Sequence, residues 1–190
     1  MSPPFVKGFN MIQRINRTLK YQGAILDIYS DKMRLDDGSI QDWDFVSHRM
    51  GAAAILPVLP DGKILLVEQS RPCIEKVTLE IPAGCRDYKD EDAKVCAMRE
   101  LKEETGYESD DVIKLLTLNT TVAFCDETVE IFMAKNIKKV SSQKLDAGED
   151  ITIKIFEPKE LVNMIFSGDI TDSKTIAAIM SYQCLTKHDC

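Results

Sequence analysis

Residues 92 to 105, DAKVCAMRELKEET, break the rhythm of the chain around them, and that break most narrows the folds open to it. On either side, apolar residues alternate with polar ones or gather in short runs, the period of extended strands. Here they recur every three to four residues, the period of a helix. The helical period starts at Asp92, and Gly106 supplies the stop. Upstream, TLKYQGAILDIYSDKMRLDDGSIQDWDFVSH reads as strands with a hairpin at DDGS. GAAAILPVLPDGKILLVEQSR adds two strands about a PDG turn, and VTLEIPAG adds one short strand. Downstream, VIKLLTLNTTVA, ETVEIFMAKNI and DITIKIFE return to the extended period. Two helices close the chain: PKELVNMIFSG, with proline in its first turn, and DSKTIAAIMSYQCL, capped by Asp172 or Ser173. This order predicts an α+β fold with a mixed sheet covered by helices, not a regular βαβ repeat. At 190 residues, one domain with at most a small appendage is expected.

Within the helical segment, Val95, Met98 and Leu101 form an apolar stripe expected to pack on the core. Glu100, Glu103 and Glu104 span about 100° of the nearly opposite face. Like charges three and four apart each cost about 0.2–0.5 kcal/mol, so the crowding calls for compensation. A hard divalent cation supplies it, since such ions take oxygen ligands. The IPAG turn just upstream could bring a backbone carbonyl to the same place, because Gly84 allows backbone conformations that other residues avoid.

The formal charge of −7 gives no footprint for binding a nucleic-acid duplex. It leaves room for a small anionic substrate, since a bound cation inverts the local sign. Six cysteines without a C-x-x-C pair, and only two histidines, argue against zinc. MSPPFVKGFN lacks an apolar core for a leader, and no run of 18 apolar residues occurs, so no membrane association and a cytoplasmic, thiol-reduced protein are expected.

The segment from Gly84 to Tyr107 resembles the signature of the Nudix hydrolases. That pattern runs from a glycine through five residues to Glu, seven more to Arg-Glu, then aliphatic-x-Glu-Glu-x-Gly-apolar. The chain matches it as Glu91, seven residues, then Arg99-Glu100-Leu101-Lys102-Glu103-Glu104-Thr105-Gly106-Tyr107. It departs once: six residues separate Gly84 from Glu91, an insertion placed in a loop, where it costs little. The resemblance implies an α/β/α sandwich with a mixed sheet between helices. It also implies hydrolysis of a nucleoside diphosphate derivative with Mg²⁺ or Mn²⁺. Glu100 and Glu104 would be the main metal ligands, Glu103 would assist, and the Ala83 carbonyl would complete the site. Arg99 would orient the glutamates, Glu91 would brace the loop against Arg99, and Gly84 and Gly106 would be structural.

GAAAILPVLPDGKILLVEQSRPCIEKVTLEIPAG and SGDITDSKTIAAIMSY are similar to the ADP-ribose pyrophosphatase branch of that family. By this resemblance residues 1–48 form an N-terminal antiparallel β subdomain that pairs two subunits and helps bind the base, and residues 49–190 form the hydrolase domain. Arg71 would approach the substrate's phosphates or terminal ribose. Trp43, flanked by Asp42 and Asp44, would stack on the base. His48 and Arg49 fall near a branch arginine. Asp126 and Glu127 correspond to a polar pair near the substrate, of which Glu127 is taken as the contact. Glu149, or else Asp150, in the acidic KLDAGED loop would be the general base. Val122 and Ala123 stand where the branch carries a proline and a glycine, which leaves the substrate open. ADP-ribose, split to AMP and ribose 5-phosphate, leads; GDP-mannose or another nucleotide sugar is the alternative. A sensor that binds such a metabolite without cleaving it is the reading from another class, disfavoured because all four box glutamates are kept.

Overall fold

The computed structural model describes residues 12–187; the leading MSPPFVKGFN segment and Cys190 lie outside the described residues. The chain divides into two units. The first runs through Arg49 and takes in Thr121–Asp126, while the second comprises Met50–Thr120 and the chain from Glu127 onward.

In the first unit β1 (Gln13–Gln22), β2 (Leu26–Arg34) and β3 (Ile40–His48) form an antiparallel sheet in that order. DDGS makes the β2–β3 hairpin: Gly38 takes φ +83° and the Asp37 carboxylate accepts the Ser39 amide at 2.8 Å. Two buried carboxylates on β2 are each held by an arginine. Arg17 donates twice to Asp31, and Arg49 donates to Asp27 at 3.0 and 2.6 Å and to the Ala24 carbonyl at 3.0 Å. Arg17 also lies over the Tyr29 and Phe45 rings, 4.8 and 3.9 Å from their centroids. Residues 121–126 run beside β3 through a Val46–Cys125 bridge, and Asp126 accepts from the Ser47 hydroxyl and the His48 amide at 2.8 and 2.9 Å. VIKLLTLNTTVA therefore ends as a strand at Asn119; its last residues belong to this other unit.

The second unit holds β4 (Ala52–Pro57), β5 (Ile64–Arg71), β6 (Lys76–Glu80), β7 (Ala83–Cys85), α1 (Ala93–Thr105), β8 (Tyr107–Glu108) and β9 (Asp111–Asn119). It continues with β10 (Thr128–Lys135), β11 (Lys138–Lys139), β12 (Ile151–Phe156), α2 (Pro158–Ser167) and α3 (Ser173–Lys187). A mixed sheet runs β7-β4-β10-β9, with β4 and β10 parallel; an antiparallel sheet runs β12-β5-β6, and β8 pairs with β11. VTLEIPAG is divided, not one strand: β6 pairs with β5, then Ile81-Pro82 carries the chain across to pair β7 with β4. The amide that proline lacks fits this crossing between sheets.

Strand alternation sorts the core into two layers. Ala53, Ile55, Leu65, Val67, Phe132 and Ala134 face α1, whereas Ala54, Leu56, Ile64, Leu66, Ile131 and Met133 pack with Leu161 of α2 and Ala178 and Ile179 of α3. Strands buried on both faces, between one helix and a helix pair, make an α/β/α sandwich. Asp92 caps α1 by accepting from the Lys94 and Val95 amides. For α3, the Asp172 carboxylate accepts from the Thr175 amide at 3.0 Å and its hydroxyl at 2.6 Å, so Asp172 is the cap.

The packing face of α1 differs from the expected stripe. Val95 is 57% exposed and Met98 36% exposed, while Ala93, Cys96, Ala97, Leu101, Glu104 and Thr105 are buried. Leu101 packs on the core as expected, but small side chains form the rest of the seam and let the helix lie close over β4 and β7. Glu100 and Glu104 therefore sit within the buried arc instead of opposite it, with Glu103 at its edge.

Candidate active site

Two cavities of about 290 and 220 Å³ share Ala83, Gly84 and Cys85 as a common wall. The smaller is lined by Arg99, Glu100, Glu103, Glu104 and Glu149; the larger by Arg71, Glu127 and Lys174. The sequence-predicted metal and base residues are thus gathered at one place, and Arg71 and Glu127 lie on the adjoining wall. Asp150 does not line either cavity.

Arg99 is the hub of the acidic helix. Its guanidinium donates to Glu100 at 2.7 Å, to Glu103 at 3.1 Å, to Glu91 at 3.3 and 3.4 Å and to the Cys85 carbonyl at 3.1 Å. Partial burial works against its charge, but the bonds to Glu91 and the charge of Glu100 outweigh that and raise its pKa above the ordinary value. Glu91 is buried and also accepts the Asp87 amide at 2.9 Å, which ties the loop before α1 to it. Register from Glu91 onward is kept, as the Glu91–Arg99 contact requires.

Gly84 is there because of Glu100. A Cβ at Gly84 would collide with the Glu100 carboxylate, so only glycine leaves room for it. Gly106 takes φ +76° and closes α1 by donating to the Lys102 carbonyl at 2.9 Å; a Cβ there would strike the Ser141 carbonyl.

Glu104 is the most telling residue. It is 3% exposed, and its Oε2 is buried with no hydrogen-bond partner among the described residues. Burial pushes its carboxyl up to about 8, with the charges of Glu100 and Glu149 adding to the rise. Glu100 is pushed up to about 7, chiefly by burial, with Arg99 pulling the other way. Two such carboxylates resist ionising together unless a cation joins them. Oxygen donors of this kind fit a hard divalent ion. As they stand, Arg99 draws Glu100 and Glu103 toward itself, and among the described residues no three acidic, histidine or cysteine side chains converge as a closed cage.

On the adjoining wall Arg71 is engaged by Glu80 through two bonds of 2.7 Å. Glu80 also accepts from Thr78 at 2.7 Å and from Lys174, which in turn meets Asp172 at 3.0 Å. Burial works to raise the Glu80 carboxyl, but Arg71 and Lys174 outweigh it and bring it down to about 2. The reading from sequence missed Glu80 and Lys174; a glutamate at the end of an apolar strand and a lysine beside a helix cap were the only signals for them. Glu127 accepts from the Thr120 hydroxyl at 2.8 Å.

The other expected residues belong to the first unit. Asp126 is engaged by the Ser47 hydroxyl and the His48 amide of β3, and the Arg49 guanidinium is taken up by Asp27 and backbone carbonyls. Trp43 is 40% exposed on β3, its indole N–H donating to Gln41 at 3.3 Å.

Residues 48–179 match the NUDIX domain model, and the chain belongs to the Nudix family. It is 33% identical over 165 residues to an ADP-ribose pyrophosphatase of Bacillus subtilis (strain 168), covering 86% of this chain and 88% of the relative. It is also 33% identical over 144 residues to a GDP-mannose pyrophosphatase of Yersinia enterocolitica, covering 70% and 73%. A solved structure of an ADP compounds hydrolase superposes with a TM-score of 0.85, covering 97% of this chain and 98% of that one; at 18% identity this likeness speaks to the fold.

Proposed function

We propose that the chain hydrolyses the diphosphate linkage of a nucleoside diphosphate sugar, with ADP-ribose, split to AMP and ribose 5-phosphate, as the first substrate and GDP-mannose as the rival. The observation that carries the reading is the unpartnered, buried Glu104 Oε2 beside Glu100, in a cavity that Glu149 also lines. The relatives named above support the substrate class, and the missing proline at Val122 keeps both sugars in play.

The residues fit the divalent metal that Nudix hydrolases generally use, and we take it to be Mg²⁺ or Mn²⁺. Glu100 and Glu104 would hold it, with Glu103 and the Ala83 carbonyl assisting. When bound, such an ion neutralises charge on the diphosphate and lowers the pKa of the attacking water. The remaining work falls to the chain. Arg99 holds Glu100 and Glu103 in one arc, and Gly84 leaves the carboxylate its space. Glu149, whose carboxylate accepts the Asp146 amide at 2.9 Å and which lines the smaller cavity, is assigned to take a proton from water. Arg71, bonded to Glu80 through two of its nitrogens, lines the larger cavity and is assigned to a phosphate or a ribose hydroxyl of the substrate. Trp43 is assigned to the base, and the N-terminal strands to homodimer formation; Leu19, Tyr21, Ile28 and Ile40 are exposed apolar residues on them. A cytoplasmic location completes the reading.

The test is hydrolysis of ADP-ribose, ADP-sugars and GDP-mannose with Mg²⁺ by the parent, Glu104→Gln and Glu149→Gln. Turnover of one of these by the parent is expected, with losses of at least about a hundredfold in kcat for both variants. Tight binding of a panel member without turnover would make the chain a sensor instead.

A further inference from the structure

The last carbonyls of an α-helix have no partner within the helix and must find one elsewhere. At the C-terminal end of α1, the helix that carries Glu100 and Glu104, the Gly106 amide takes the Lys102 carbonyl and further partners come from residues 140–144. The Val140 and Ser141 amides donate to the Gly106 carbonyl at 2.9 and 3.1 Å, and the Lys144 amide donates to the Glu103 carbonyl at 2.8 Å. The Glu104 carbonyl is taken by a side chain: Gln143 Nε2 donates to it at 2.6 Å. The same nitrogen donates at 3.1 Å to the carbonyl of Ile151, the first residue of β12.

The loop carrying Glu149 lies between those two attachments. It starts at Gln143, seats Leu145 against the α1-side core, and then turns on itself, the Glu149 amide donating to the Asp146 carbonyl at 3.1 Å and the Asp146 amide to the Glu149 carboxylate. Gly148, at φ +97°, makes the turn. Asp146 to Asp150 are all exposed, so the turn has no core of its own to hold it.

We infer that Gln143 is the positioning residue for Glu149. Its amide uses both hydrogens to clasp the two ends of the loop to each other and to the backbone of Glu104, so the base is held in register with the carboxylates across the cavity. Few side chains can do this. Glutamate would set a carboxylate against two carbonyls, and methionine has the length but no donor. The clasp touches no substrate, so it acts on the rate through Glu149 and not on binding.

This inference rests on the reading of Glu149 as the base, and the test separates the two. In Gln143→Met, hydrogen exchange at the Asp146 and Glu149 amides is expected to quicken about tenfold or more, with the buried α1 amides unchanged. With the preferred nucleotide sugar, kcat should fall about ten- to a hundredfold and KM stay within about twofold. Unchanged exchange overturns the clasp. Quickened exchange with an unchanged kcat overturns Gln143 as a positioning residue. If the parent hydrolyses no member of the panel, the function fails while exchange still reports on the clasp. Gln143→Lys restores donors, and partial recovery of kcat over Gln143→Met is expected; a value no higher than that of Gln143→Met counts against the inference.

Discussion

Glu104 and Glu100 set the pH response of the metal-free protein. Burial raises their carboxyls to about 8 and about 7, from 4.5 in an unconstrained glutamate. Between those values the folded state holds more protons than the unfolded one, so stability falls as pH rises through that window. Glu80 works with the opposite sign: lowered to about 2, it contributes stability above 4.5 that is lost as pH falls toward 2. Thermal melts in chelator should therefore give the highest Tm near about pH 5 and a decline toward pH 8. Glu104→Gln should flatten the upper limb and keep the acid limb, and Mg²⁺ at about pH 8 should restore the parent's Tm. A parent Tm that is level from pH 5 to 8 in chelator would contradict this account.

Between elements, the contact of β7 with α1 separates stability from activity. Adding a Cβ at Gly84 would displace the Glu100 carboxylate, which is the far end of a flexible side chain and not backbone. Gly84→Ala should therefore leave Tm within about two degrees of the parent and still lower kcat about tenfold or more. A loss of Tm matching the loss of activity would show that the backbone, not the carboxylate, gives way. Part of this was legible beforehand: the resemblance to the Nudix signature picks out Glu91, Arg99, Glu100, Glu103 and Glu104, and the change of period at Asp92 and the glycine at 106 mark the helix ends. The packing face of α1 was legible only at Leu101. The rest of its seam is Ala93, Cys96 and Ala97, which weigh little in an apolar pattern, while Val95 and Met98 weigh much and are exposed. The division of VTLEIPAG between two sheets escaped for a similar reason, since period alone does not tell one strand from two joined at a proline.

At the scale of the whole molecule, every residue lining the two cavities belongs to the second unit, while Trp43 belongs to the first. If its ring grips the base, Trp43→Ala should raise KM about five- to a hundredfold and leave kcat within about twofold. An unchanged KM would remove it from the site. Light scattering of the parent should give twice the 21.4 kDa chain mass, and a monomer mass would end the homodimer reading.

Local period and residue types at fixed spacing along one helix were enough to read the α+β class and the family from the chain alone. The folded chain was needed to see that Glu104 lies on the buried face of α1, that Glu80 holds both Arg71 and Lys174, and that Gln143 bonds both the Glu104 and Ile151 carbonyls. Each of those depends on residues far apart in the chain meeting where burial removes water, and pairing of that kind leaves no periodic trace.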